Sequence, residues 1–288
     1  WCNGCARSTA ARREANGGGA ITHFRPSCSA AELISCLAGG ANLTRHIAVP
    51  RRDYTSATVE VHATPHGECE EFWYASQPDE LGGGGGAVDD NSGAAECGGG
   101  PYRQLELRID GVVAGAQLPL PVVYTGGICP ALWRPLAAPH SLSVPPYTFD
   151  VTPFVGVLND GRPHAFTLSV ASGGRHGSYW YIDATLVARS DGSGRAYGGR
   201  LLSHSDGPAV APRRTDGGAG EARGAAAGAD ALRFAVAATY GYEVVGELTL
   251  PAAKSGRVVR AVATARGRLR GNVDNWLWGA AGDTAGTL

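Results

Sequence analysis

Between Ala48 and Ala188, apolar and polar residues alternate in short runs broken by turn-forming residues. A period of two sends successive side chains to opposite faces of a strand. In Thr58 to His62, Val59 and Val61 alternate with Glu60 and His62, and Glu71 to Tyr74 reads as a second, aromatic run. Leu105 to Ile109, then Asp110-Gly111, then Val112 to Gln117 predicts a hairpin, because Asp-Gly accepts the positive φ angles of a type I′ turn. Ala165 to Ala171 and Tyr179 to Ala188 predict further strands, the latter with Tyr181, Asp183 and Thr185 on one face and Trp180, Ile182, Ala184 and Leu186 on the other. Alternation returns at Leu232 to Ala237, Glu243 to Leu250 and Arg257 to Ala265.

One short helix is expected where Ser29 and Glu32 form a capping box ahead of Leu33, Ile34 and Leu37, with Gly39 and Gly40 as its stop. So many short strands with so little helix predict an all-β fold, an antiparallel β-sandwich or jelly-roll with a second, incomplete β domain. A closed barrel satisfies the same pattern. The expected layout is a poorly patterned segment over 1–46, a β-sandwich domain over 47–195 with a flexible Gly-rich insertion at 82–100, a linker at 196–230 and a partial β domain at 231–288.

Charge narrows the partners. With 25 Lys plus Arg against 26 Asp plus Glu, dispersed along 288 residues, neither nucleic acid nor an anionic membrane surface is an expected partner. No apolar run approaches the roughly 20 residues that span a bilayer, so no transmembrane segment is expected in this chain. The sequence begins at Trp1 and has no Met, so a natural N-terminus with any signal peptide is expected upstream. Seven scattered cysteines leave at least one unpaired within the chain and fix no connectivity, and Cys2-x-x-Cys5 lacks the second pair or nearby His of a zinc site. Asn42, Leu43 and Thr44 form an N-glycosylation sequon.

Three segments carry candidate chemistry. His66 to Ala75 places Glu68, Glu70 and Glu71 beside Trp73 and Tyr74. Sugar sites use such pairings, since rings stack on pyranose faces while carboxylates bind hydroxyls or move protons. The plainer alternative makes Phe72 and Tyr74 core residues and the glutamates a solvated rim. A regular strand there would set Glu71 and Trp73 on one face. Asp183 sits in mid-strand among apolar residues, where a carboxylate must be solvated, paired or used. The proline-flanked loop around Gly126-Gly127 carries Trp133 and Arg134, and Arg donors suit a carbonyl, a carboxylate or sugar hydroxyls. Alternatively, this is a braced corner with Trp133 in the core. His62 and His66, four apart on strand and turn, do not make a metal pair. There is no Gly-x-Ser-x-Gly elbow, Walker loop, dinucleotide fingerprint or His-Glu-x-x-His.

In order and spacing, GPYRQLELRIDGVVAGAQLPLPVVYTGGICPALWRPL, YTFDVTPFVG, DGRPHAFTLSV and YWYIDATL resemble the peptide-N-glycanase A (glycoamidase A) family, as does the upstream VEVHATPHGECEEFWY. The resemblance runs from about residue 47 to 190 and is diffuse beyond. It implies a secretory-route enzyme, extracellular or vacuolar, acting on N-glycopeptides or denatured N-glycoproteins. The reaction implied is hydrolysis of the amide between an Asn side chain and the first N-acetylglucosamine, leaving Asp. No cofactor or metal is implied. On chemical grounds, Glu71 or Asp183 is expected as general base with the other as acid or orienting partner, and Arg134 as carbonyl polariser. Trp73, Tyr74, Trp133 and Trp180 are expected as sugar-binding rings. Glu60, Arg103 and Asp150 also fall in the resembling segments, with structural roles at least as well motivated. A lectin-like module that binds glycans without cleaving them, and a structural extracellular module, are the competing readings.

Overall fold

The structure, a computed structural model, describes residues 12–13, 20–24, 42–66, 70, 73–76, 99–120, 144–172, 179–207, 213–216, 230–251, 258–280 and 283–285. Its strands are β1 (Arg12–Arg13), β2 (Ala20–Phe24), β3 (Leu43–Ala48), β4 (Tyr54–His66), β5 (Arg103–Ile109), β6 (Val112–Gln117), β7 (Tyr147–Asp150), β8 (Pro163–Ser172), β9 (Tyr179–Ser190), β10 (Gly198–Asp206), β11 (Arg213–Asp216), β12 (Asp230–Pro251), β13 (Val258–Ala280) and β14 (Asp283–Ala285). They form three sheets, ordered β1-β2-β9-β4-β7, β3-β8-β5-β6 and β10-β12-β13-β14, with β11 also pairing β12. Every pairing among them is antiparallel. The all-β expectation holds.

The first two sheets share one core. Val59 and Val61 of β4 and Ile182, Ala184 and Leu186 of β9 belong to the same buried cluster as Leu105, Leu107 and Ile109 of β5 and Phe166 and Leu168 of β8. These are the apolar halves of the period-two runs, and removing each large side chain from water contributes about 1.5–3 kcal/mol. Val244 and Leu248 of β12 join that cluster together with Phe154, Val155 and Leu158, so the third sheet packs against the turn at Thr152–Phe154 and the single-turn helix α1 (Val155–Leu158).

The predicted hairpin is present. Asp110 at φ 50° and Gly111 at φ 82° turn β5 into β6. Register passes from Leu107 opposite Gly115 to Arg108 opposite Val113, so Ala114 is the extra residue of a bulge. Gly115 is required by packing, since a Cβ there would lie 2.2 Å from Cδ1 of Phe149 on β7.

Several sequence expectations are corrected. The stretch 196–230, read as a linker, contains β10 and β11, both paired with β12. The strands expected at Leu232–Ala237 and Glu243–Leu250 are one continuous strand, because β13 pairs through Gly241 without interruption. Ala20–Phe24, too short to reveal a period, forms β2 and pairs with β9. Trp73–Ala75 is a 3-10 turn rather than a strand, with the Trp73 N–H donating to the Glu70 carbonyl at 3.2 Å. The predicted helix after Ser29, all seven cysteines and the Gly-rich insertion apart from Gly99 and Gly100 lie outside the described residues.

Candidate functional site

β4 and β9 lie side by side in the first sheet, and their register sets Glu60 opposite Thr185, His62 opposite Asp183, Thr64 opposite Tyr181 and His66 opposite Tyr179. Because Val59, Val61 and Ala63 on one strand and Trp180, Ile182 and Ala184 on the other turn inward, these eight residues form a double row on the outer face. On the far side of β4, β7 adds Thr148 opposite Glu60 and Asp150 opposite Thr58. Asp150 also starts the following turn, its Oδ1 accepting the Thr152 N–H at 3.0 Å.

The two ends of this face differ in chemistry. At one end, His66 and Tyr179 are nearly parallel, 13° between planes and 6.1 Å between centroids. Tyr181 meets His66 edge-on at 4.4 Å and Tyr179 at 5.2 Å. The Thr64 hydroxyl lies 3.1 Å from Nε2 of His66. Towards the other end come Asp183, His62, Glu60 and Thr185. Directly opposed antiparallel residues hold their Cβ atoms about 4.5–5.5 Å apart, and diagonal ones about 7–8 Å. His62 is therefore the directly opposed neighbour of Asp183, without a hydrogen bond or ion pair between them, while Glu60 stands on the wider diagonal. Oδ1 of Asp183 is buried with no hydrogen-bond partner among the described residues. Buried polar atoms are almost always satisfied, so this oxygen calls for a partner that the described residues do not supply.

A second polar cluster lies beneath the same strands. Glu70, with no exposed surface, receives two hydrogen bonds from Arg103, Nε to Oε2 at 2.8 Å and Nη2 to Oε1 at 2.6 Å. The indole N–H of Trp180 donates to Oε2 of Glu70 at 2.7 Å. Arg103 also donates to the carbonyls of Gly100 and Tyr102 and lies 5.9 Å from the ring centroid of Trp73. Paired on both oxygens, this carboxylate and guanidinium satisfy each other without water. The knot ties the segment after β4 to β5 in one sheet and β9 in the other.

Of the residues expected to bind sugar, Trp180 is 2% exposed, Trp73 5% and Arg103 1%, so they have no face to offer a ligand and serve the core instead. Tyr74 is half-buried, edge-on to Trp73 at 6.0 Å. Glu60 and Asp183 do share the outer face, as alternation predicts. Glu71, Trp133 and Arg134 lie outside the described residues. Tyr179, Tyr181 and His66 were not singled out as a ring cluster, although alternation around Asp183 already put Tyr181 on its face. Among the described residues no group of three His, Cys, Asp or Glu side chains is placed to hold a metal ion.

Comparison with known proteins adds a family. The model of the family described as peptide N-acetyl-beta-D-glucosaminyl asparaginase amidase A matches residues 19–205, a stretch that contains both the outer face and the buried knot. The chain is 36% identical over 162 residues to the peptide-N4-(N-acetyl-beta-glucosaminyl)asparagine amidase A of Prunus dulcis. That stretch is 56% of this chain and 26% of the relative, so the chain spans well under half of that protein. No solved structure matches the chain.

Proposed function

Because the chain belongs to the peptide N-acetyl-beta-D-glucosaminyl asparaginase amidase A family, we propose that it hydrolyses the amide joining an Asn side chain to the first N-acetylglucosamine of an N-glycopeptide. The family match over 19–205 carries this reading, and the polar outer face of β4 and β9, which lies within that stretch, supports it. Water attacks the side-chain carbonyl carbon and the C–N bond breaks. The departing nitrogen takes up a proton, leaving Asp on the peptide and a glycosylamine on the glycan. In this scheme Asp183 is the general base, for which a carboxylate within reach of the attacking water suffices. Its Oδ1, unsatisfied among the described residues, supports the role, and His62 is its cross-strand neighbour on β4. Glu60, on the diagonal, is the second carboxylate within reach of the leaving nitrogen. Glu71 and Arg134 are proposed, from the sequence, as orienting partner and carbonyl polariser. The substrate is an N-glycopeptide or an unfolded N-glycoprotein. The route is secretory, a reading helped by Asn42 of the sequon, which is exposed just ahead of β3.

The test is mass spectrometry of a short N-glycopeptide incubated with the purified protein in oxygen-18 water. Heavy-labelled Asp in the deglycosylated peptide is expected. An intact Asn linkage after long incubation with folded protein overturns the reading and favours a module that binds glycans without cleaving them.

A further inference from the structure

We infer that Tyr181, braced by Tyr179 and His66, is the platform on which the first N-acetylglucosamine stacks, and that the substrate lies along β4 and β9 with its glycan at the His66–Tyr179 end and its peptide at the Glu60–Thr185 end. This rests on the amidase reading for where the scissile bond sits. A glycosylated Asn is a linear object: peptide backbone, amide, sugar. Placing the amide at Asp183 leaves the sugar and the peptide to take opposite directions along the strand pair.

The two directions differ in what they offer. Tyr181 is two residues from Asp183, about 7 Å along the strand, and is 41% exposed although it is a large ring on a sheet. Its contacts with His66 and Tyr179, at 62° and 73° between planes, hold the three rings in fixed relation. The Thr64 contact fixes the imidazole in turn. A platform already ordered before binding loses little side-chain freedom when a sugar arrives. Pyranoses present C–H groups on one face, which suit an aromatic ring. At the opposite end the outward residues of β4, β7 and β9 carry no ring, and β2 sets His23 opposite Thr185: Glu60, Thr185, Thr148, Thr58 and Asp150 offer hydroxyls and carboxylates, which suit peptide N–H groups and basic side chains. Along β4 and β9 the clustered rings at one end and the carboxylates and hydroxyls at the other therefore favour one orientation of the substrate.

Steady-state kinetics on a glycopeptide, together with saturation-transfer NMR of N,N′-diacetylchitobiose, tests the inference with Tyr181→Ala and Tyr181→Phe. Tyr181→Ala is expected to raise KM about tenfold, the effect of losing one stacking contact, with kcat little changed and the saccharide signal lost. Tyr181→Phe keeps both. A glycopeptide with Lys beside the glycosylated Asn is expected to show a lower KM than one with Glu there. If the parent protein cleaves glycopeptide and folded Tyr181→Ala matches it in KM and in saccharide signal, the platform is refuted while the amidase reading stands. If the parent protein binds chitobiose through Tyr181 but converts no Asn, the amidase reading fails and the platform stands.

Discussion

Trp180 donates its indole N–H to Glu70 from the inner face of β9, while its neighbours Tyr179 and Tyr181 lie on the outer face of the same strand. One buried carboxylate thereby fixes the end of the strand that carries the exposed ring cluster. The knot contributes no group to the site; it sets where the site's aromatic end stands.

Glu70→Gln keeps the shape of the side chain but leaves Arg103 as an uncompensated buried cation. Removing one partner of a buried pair costs about 3–5 kcal/mol, and urea denaturation should register that loss. Glu70→Gln with Arg103→Met restores part of it, because an apolar pair needs no counter-charge. A loss under about 1 kcal/mol for the single variant would show that water reaches the pair in solution.

Gly115→Ala drives a methyl group into the ring of Phe149, which stands 2.2 Å from the position it would take. Overpacking of this kind costs about 1–3 kcal/mol. Phe149→Leu alone is destabilising too, but combined with Gly115→Ala the two losses should be less than additive, since the smaller side chain makes room. Strict additivity in a double-mutant cycle would mean the two positions do not touch.

Acid stability should depend on Asp53. Burial pushes this carboxyl up, but the Ser190 hydroxyl, the Gly194 N–H at 2.7 Å, its own backbone N–H and the Arg52 charge together outweigh burial and hold it below its ordinary 3.8. A depressed native value means that the unfolded chain binds the proton more readily. Stability from this group is therefore complete above pH 3.8 and is lost as pH falls from there through the lowered native value. Asp53→Asn should be less stable than the parent at neutral pH and lose less on acidification. Asp191, held low first by the Tyr197 hydroxyl and then by the Ser193 N–H, leaves a residual slope of the same sign. Equal acid slopes for the parent and the variant, measured by urea denaturation at a series of pH values, would count against Asp53.

What was legible in the sequence was what repeats locally. The 12 residues of β9 hold enough periods to assign each side chain to a face, and so placed Asp183 correctly beside Tyr181. Asp110-Gly111 announced its turn because the backbone there needs positive φ at both positions. The knot was illegible because Glu70 finds Arg103 33 residues away and Trp180 110 residues away, separations on which local pattern is silent. Glu70 and Glu71 look alike in the sequence, and only tertiary pairing distinguishes the first. The same limit made Trp73 and Trp180 look like ligand platforms: a tryptophan in a strand reads the same whether its N–H meets water or a buried carboxylate.

The strongest claim about chemistry concerns Asp183, and it separates into two measurable parts. Its Oδ1 is buried and unsatisfied among the described residues, so Asp183→Asn, which places an amide where that oxygen stood, should fold normally and leave stability within about 1 kcal/mol or even improve it. A general base, by contrast, cannot be replaced by an amide, and its loss lowers kcat by about 10²- to 10⁴-fold. Stability retained and kcat lost is the pattern of a group kept for its chemistry. Glu60→Gln should show a smaller fall in kcat, greatest with substrates whose leaving nitrogen most needs a proton. His62→Gln keeps a polar side chain opposite Asp183, and with no bond between the two to lose it should lower kcat far less than Asp183→Asn. If folded Asp183→Asn retains full turnover in the oxygen-18 assay, Asp183 is not the base, and Glu71→Gln becomes the decisive variant.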